Sequence, residues 1–272
     1  MIKIGLIIDK YHLEKKVKEF LQYLKTVAEV SIYLEESLLL DFSRLNFNEN
    51  IFFVKGKGEL ILNLVKLIEN ETSIPVINSS KAIRLCFDRF LNSVLLKKIG
   101  IEVPDFSVNP VGVSPPFNDY IIKNVIDQKN YTFTPKIQSK NGHLQISDER
   151  ALNEVIGGKQ NYQFFYYQRF IKSKWEYKVY SIGENFYFYK QLPVLINPDK
   201  IKSREEINPI LELKEIVIKI KEILDLKITS VDFLKSKNGK FYVSDVNSTP
   251  NFNYIKNGPK IVGHFLIEQA KR

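Results

Sequence analysis

The 272-residue chain holds a single cysteine, Cys86, together with one methionine and one tryptophan. One cysteine excludes an internal disulfide framework and any Cys-rich zinc module. No apolar run approaches the roughly 18 residues needed to span a bilayer, and MIKIGLIID reads as a first strand, where a secretory leader has a basic segment followed by an apolar one. Neither of the glycine-rich phosphate loops, GxxxxGK and GxGxxG, occurs. The three histidines are far apart in sequence and Cys86 falls inside a predicted helix, so zinc, serine or cysteine chemistry finds no support. Internal repeats and low-complexity tracts are absent too. What remains is a globular protein with no membrane partner, and its expected setting is the cytoplasm.

The apolar fraction of 44% and the charged fraction of 26% are ordinary for such a protein. Forty basic residues against 31 acidic ones give a formal charge of +9, which favours anionic partners. The lysines are spread along the whole chain, without zinc-finger spacing, an RNP-like motif or a compact basic arm. Nucleic acid is therefore not the expected ligand, and a small, highly phosphorylated substrate suits the charge better.

The patterning divides the chain into three lobes: an α/β lobe over 1–80, a central β-rich lobe over 81–171 and a C-terminal lobe over 172–272. In the first, IKIGLIID leads into KYHLEKKVKEFLQYLKTVA, where Leu13, Val17, Phe20, Leu21 and Leu24 recur at helical spacing. The runs EVSIYL, NIFFVK and IPVIN, with helical ELILNLVKLIE between the last two, complete a small parallel sheet. Ser79 or Ser80 caps a helix through KAIRLCFDRFLNSVLLKKIG, ended by Gly100. Strands DYIIKNV, TPKIQS and QFFYYQRFI follow, with ISDERALNEVIGG as a helix before the last. The third lobe has a hairpin turning at Gly183, a helix over LELKEIVIKIKEILDL, a second hairpin and a closing helix in IKNGPKIVGHFLIEQAKR.

That second hairpin, KITSVDFLKSKNGKFYVSDVNSTPNF, carries the chemistry. Asn238-Gly239 between apolar strands predicts a two-residue type I′ turn. Pairing outward from it sets Leu234 against Val243 and Asp232 against Asp245, with Asn247 on the face of Asp245. Like charges facing each other across a sheet repel, so the pair needs a compensating cation or an elevated pKa. Carboxylate and amide oxygens suit Mg²⁺, which takes its remaining ligands from water and substrate phosphates. Geometry alone also allows a solvated aspartate at the sheet edge, with Asn247 capping the turn into Thr249-Pro250.

From about residue 74 onward the order of pieces resembles the ATP-grasp superfamily. DVNSTP at 245–250 fits that family's motif of acidic residue, x, Asn, two residues and Pro, which supplies magnesium ligands, and Asp232 in SVDFL matches its other metal carboxylate. The resemblance implies an α/β (α+β) ATP-grasp fold of three lobes, with ATP between two β-rich lobes and two Mg²⁺ ions on Asp232, Asp245 and Asn247. Two branches look close, the inositol trisphosphate 5/6-kinases and the RimK-like ribosomal-protein glutamate ligases. AIRLCFDRFLNSVLLKKI and YQRFIKSKWEYKVYSIGENF are similar to segments of the kinases, and Lys178 stands where the ligases usually carry Arg.

By that match Arg89 and Lys123 contact nucleotide phosphates, Gln168, Arg169, Phe170 and Ile171 form the adenine hinge, and Lys178 and Asp245 are catalytic. Lys10, Lys55, His143, Lys178 and Lys190 fall where substrate would bind. The stretch between Lys123 and His143 departs from both branches, having no glycine before Gly142 where they carry a glycine-containing lid, and Asn251 replaces the glycine common after Pro250 in the kinases. The expectation is an ATP- and Mg²⁺-dependent kinase acting on a polyanionic small molecule such as an inositol phosphate. The alternative is a RimK-like carboxylate–amine ligase working through an acyl phosphate, for which this sequence does not plainly supply the acceptor-pocket arginine; the third reading is a catalytically weak nucleotide-binding module.

Overall fold

The computed structural model describes residues 1–38, 46–110, 113–127, 135–140, 142–148, 164–193 and 200–272. Three sheets organise them. The first is wholly parallel, in the order β2-β1-β3-β4, from β1 (Lys3–Ile8), β2 (Glu29–Leu34), β3 (Ile51–Lys55) and β4 (Val76–Ile77). β1 and β3 are buried almost throughout, as continuous apolar runs covered on both faces should be. The single helix predicted after β1 is two, α1 (Lys10–Lys15) and α2 (Lys18–Val27), because the chain bends at Lys16 to bury Val17 completely. α3 (Glu59–Glu71) packs on the opposite face through Ile61, Leu64, Val65 and Ile68.

The helix predicted over residues 80–99 is also broken. α4 (Ser80–Phe87) begins at Ser79, whose side chain accepts from Ala82 N, and α5 (Arg89–Lys98) begins at Asp88, whose carboxylate accepts from Leu91 N. The break is tertiary: Asp127 N donates to Phe87 O, and Arg89 N to Val125 O, so the backbone around Asp88 leaves the helix to pair with the segment at Ile126. Gly100, at φ +76°, ends α5 as expected.

The second sheet runs β5-β9-β6-β8-β7, with β5 (Phe106–Pro110), β6 (Tyr120–Asn124), β7 (Pro135–Lys140), β8 (His143–Asp148) and β9 (Phe164–Arg169). The helix expected at 146–158 starts instead as the end of β8, and its remainder lies outside the described residues, as do residues 128–134 and 141 of the lid between Lys123 and His143. The third sheet is antiparallel, β12-β11-β10-β13-β14, from β10 (Glu176–Ile182), β11 (Asn185–Gln191), β12 (Glu205–Glu206), β13 (Ile228–Lys235) and β14 (Phe241–Asn247). One of its faces is covered by α6 (Leu211–Leu224) through Leu213, Val217, Ile220 and Leu224, and by Ala82, Cys86 and Leu96 of α4 and α5. The other face meets the first lobe in a shared core. There Tyr180, Ile182 and Ile228 pack with Phe20, Phe53 and Leu24, and α7 (Gly258–Ala270) adds Val262 and Leu266. Burying each such side chain contributes about 1.5–3 kcal/mol, so this core ties the two ends of the chain together. No helix among the described residues is long and apolar enough to cross a membrane.

Candidate active site

Asp232 faces Asp245 across β13 and β14, as the sequence predicts, but not for the reason given there. The turn is a three-residue loop: Ser236 N donates to Lys240 O, Gly239 N donates to Ser236 O, and Gly239 alone takes positive φ, +87°. A type I′ turn needs positive φ at both central residues. The pairing is accordingly one residue off near the turn, Leu234 facing Tyr242 and Phe233 facing Val243, and a bulge at Ser244 restores it before the aspartates. Lys178 on β10 is the cross-strand neighbour of Asp232 on the other side, so lysine and two carboxylates form a row across three strands.

Lys178 Nζ donates to Asp232 Oδ1, and the pair is nearly enclosed, with side-chain exposures of 13% and 12%. Burial alone would lower this lysine's pKa, but Asp232 outweighs it and raises it above the usual range. Lys178 thus supplies the compensating cation that the repulsion argument calls for. The carboxylate of Asp245, half-buried, has no hydrogen-bond or ion-pair partner among the described residues. Asn247 Oδ1 accepts from Thr249 N at 3.0 Å, capping the turn and keeping a second lone pair.

Two first-lobe residues fix this loop. Asn78 is buried and uses its whole amide: Nδ2 donates to Ile228 O and Ser248 O, both at 2.7 Å, and Oδ1 accepts from Lys227 N and Ile228 N. Lys55 is 1% exposed, and its Nζ donates to Thr249 O at 2.7 Å and to Pro250 O, while burial and Lys57 push it down to about 7. Its ammonium is therefore engaged in holding the loop, and does not open onto a substrate cleft.

Across from this face stands the inner side of the second sheet. Lys123 on β6 pairs in register with Tyr166 on β9, and its Nζ donates to Gln168 Oε1 at 2.8 Å. Burial, then Arg89, pushes Lys123 down to about 8. Arg89 donates from Nη1 to Asn124 O at 2.8 Å and from Nη2 to Asp127, which also takes Lys57; its Nε is buried with no partner among the described residues. Burial would raise Asp127, yet Lys57 and Arg89 hold it well below the usual carboxylate range. Arg89, Lys123, Tyr166, Gln168, Ser244 and Asp245 line one cavity of about 20 Å³ between the two sheets.

The other expected residues scatter. Of the hinge, Gln168 is buried, Arg169 N and Phe170 N donate to Asp105 O and Asp119 O, and Ile171 N has no partner among the described residues; the Arg169 side chain turns outward to Asp105. Lys190 is one residue past Tyr189, the partner of Lys178, and so projects from the opposite face of the sheet, where it pairs with Glu205 at 2.6 Å and lies over Trp175. Lys10 is exposed beside Glu14. The backbone of His143 opens β8; its side chain lies outside the description.

Sequence reasoning missed Arg204. Its guanidinium donates to Tyr180 Oη at 3.0 Å and to Gln191 Oε1 at 2.7 Å, and stacks 4.5 Å over Tyr254, on the same face as Lys178. Nothing in IKSREE marks it, because the contacts come from three distant segments.

No protein-family model and no curated protein sequence matches the chain. Solved structures do. The D-alanine–D-alanine ligase of Bacillus anthracis, complexed with ATP, aligns over 100% of this chain and 98% of its own, with TM-score 0.70 and 16% identity. A RimK-domain ATP-grasp protein from Sphaerobacter thermophilus aligns over 97% and 99%, with TM-score 0.69 and 14% identity. A RiPP-associated ATP-grasp ligase of Chryseobacterium gregarium, in complex with ADP and a leader and core peptide, aligns over 99% and 97%, with TM-score 0.67 and 13% identity. The chain has the ATP-grasp fold.

Proposed function

We propose that the protein is an ATP- and Mg²⁺-dependent carboxylate–amine ligase, which activates a carboxylate as an acyl phosphate and passes the acyl group to an amine. The observation that carries the choice over a kinase is the face around Lys178. A polyanion acceptor would need Lys55, Lys178, Lys190 and His143 to converge, whereas Lys55 is tied to two carbonyls and Lys190 leaves from the other side of the sheet. In their place stands one ion-paired lysine beside Arg204, a charge suited to a single carboxylate or its acyl phosphate. The solved structures similar to this chain support the reading, since the B. anthracis and C. gregarium proteins are ligases.

In this reading the two sheets hold complementary parts of the nucleotide. Arg89 and Lys123 are desolvated cations, one with an orphaned buried N–H and the other hydrogen-bonded only to a neutral amide, and both suit phosphate oxygens. Asp245 and Asn247, with Asp232, are an all-oxygen donor set that fits Mg²⁺, whose contribution when bound is to neutralise charge between phosphates. Ile171 N–H is left for the adenine edge. A cavity of about 20 Å³ holds about one water, so nucleotide entry requires the second sheet to move away from the third. The unpartnered Asp245 speaks against a binding module without turnover.

The test supplies ATP, Mg²⁺ and hydroxylamine with L-glutamate, D-alanine or an Asp/Glu-rich peptide, and measures ADP, phosphate and hydroxamate separately. A ligase releases ADP and phosphate and forms the hydroxamate. Release of ADP without phosphate, with an inositol phosphate as acceptor, restores the kinase.

A further inference from the structure

The first lobe contains an Asp–His pair that the nucleotide site does not use. Its parallel sheet changes direction between β1 and β3: β1 is followed by a connection to β2 on one side, and β3 by one to β4 on the other. Crevices outside the carboxyl ends of strands at such a point are where open α/β sheets bind ligands. Asp9 ends β1 there, 1% exposed, and its carboxylate accepts from His12 N at 2.8 Å and from His12 Nδ1 at 2.7 Å. Gly56, the next residue after Lys55 on β3, seats this carboxylate: a Cβ at 56 would stand 3.2 Å from Asp9 Oδ2 and 2.2 Å from Ile61 Cδ1.

Donation from Nδ1 fixes the imidazole as the tautomer whose Nε2 lone pair points away from Asp9, and Nε2 has no hydrogen-bond partner among the described residues. The charged groups facing the ring are Asp9 on its own side and Lys55 and Lys57 from the end of β3; Tyr11 packs edge-on. Burial first, then the two lysines, hold His12 below its ordinary value against the pull of Asp9. That balance favours the neutral imidazole, the form a base must have. Lys55 joins this corner to the magnesium loop through Thr249 and Pro250.

We propose that His12, oriented by Asp9, is the general base for the acceptor amine, a role that rests on the ligase reading above. The amine nitrogen attacks the acyl phosphate carbon, the C–N bond forms, and the C–O bond to phosphorus breaks with its electron pair leaving on phosphate. The N–H proton goes to His12 Nε2, its bonding pair stays on nitrogen, and Asp9 stabilises the imidazolium until the proton passes to solvent.

Two variants and two readouts test it on the full chain. His12→Gln should slow amide formation from glycinamide by about 10²- to 10⁴-fold, the usual contribution of a general base. With hydroxylamine, a weakly basic nucleophile whose adduct loses its N–H proton readily to water, the loss should be far smaller. Asp9→Asn keeps a good helix cap but removes the charge, and should shift the acidic limb of the glycinamide pH profile while the fold persists. Nitrogen NMR of the histidines should show His12 neutral at pH 7 with its proton on Nδ1. Equal losses with both nucleophiles, or a His12 that is protonated or carries its proton on Nε2 at pH 7, overturn the proposal and leave the ligase reading standing. A wild type that forms no hydroxamate from L-glutamate, D-alanine or the acidic peptide overturns the ligase reading itself, and the role of His12 with it.

Discussion

The two sheets that wall the cavity answer burial in opposite ways. On the third sheet Lys178 has a carboxylate beside it and is raised; on the second, Lys123 has a neutral amide and a guanidinium beside it and is pushed down to about 8. The first wall carries surplus negative charge in Asp245, and the second surplus positive charge around Arg89 and Lys123. Each is unfavourable alone in a desolvated place. Together they are complementary to an anion bearing its own cation, which is why the difference between two lysines points to a nucleotide–metal complex.

The largest expected effect breaks the negative wall. Asp245→Asn should lower Mg²⁺-dependent turnover roughly 10³-fold or more, because metal stabilisation of the transition state is worth several kcal/mol and each 1.36 kcal/mol is tenfold. Its thermal midpoint should stay close to wild type, since Lys178 already neutralises Asp232. Undiminished steady-state turnover would remove the metal assignment.

Lys178→Ala should destabilise the protein by about 3–5 kcal/mol, the usual cost of breaking a buried ion pair by removing one partner. Added Mg²⁺ should recover part of that loss by binding the carboxylates. A thermal melt with and without Mg²⁺ checks both halves, and a midpoint indifferent to the substitution would mean that the pair is not enclosed.

Lys123→Met tests the positive wall. ATP affinity should fall roughly tenfold to a hundredfold, from the loss of a charge-assisted contact of about 1.5–3 kcal/mol. Between about pH 8 and the ordinary 10.5 the unfolded chain holds a proton on Lys123 that the folded chain has released, so wild-type stability relative to the variant should rise with pH across that window. A flat difference in denaturant midpoints from pH 7 to 10.5 would place Lys123 in solvent. Lys190→Ala should change stability by less than about 1 kcal/mol, as exposed pairs do, and leave turnover with the acidic peptide intact; a large loss of turnover would return Lys190 to the site.

The elements were legible because their periodicity is strong: β1 and β3 as apolar runs, α6 and α7 as amphipathic or apolar helices, Gly183 and Gly239 at turns. The Asp232–Asp245 pairing was legible only through two compensating departures, a longer turn and a bulge at Ser244. Tertiary contacts were not legible. Asp88 reads as a helical residue until Ile126 pairs with it, Lys55 reads as a substrate lysine until Thr249 and Pro250 arrive from some 195 residues away, and Lys190 misled because sheet faces alternate with each residue. Arg204 and Asn78 act through partners that no local pattern announces.

The most direct test of the complementary walls is calorimetric titration of ATP into the wild type and Asp245→Asn, each with and without Mg²⁺ at one ionic strength. Mg²⁺ should tighten ATP binding to the wild type by about tenfold or more, a gain of about 1.4 kcal/mol or more, and should give Asp245→Asn no such gain. Equal gains in both proteins, or none in the wild type, would contradict the account.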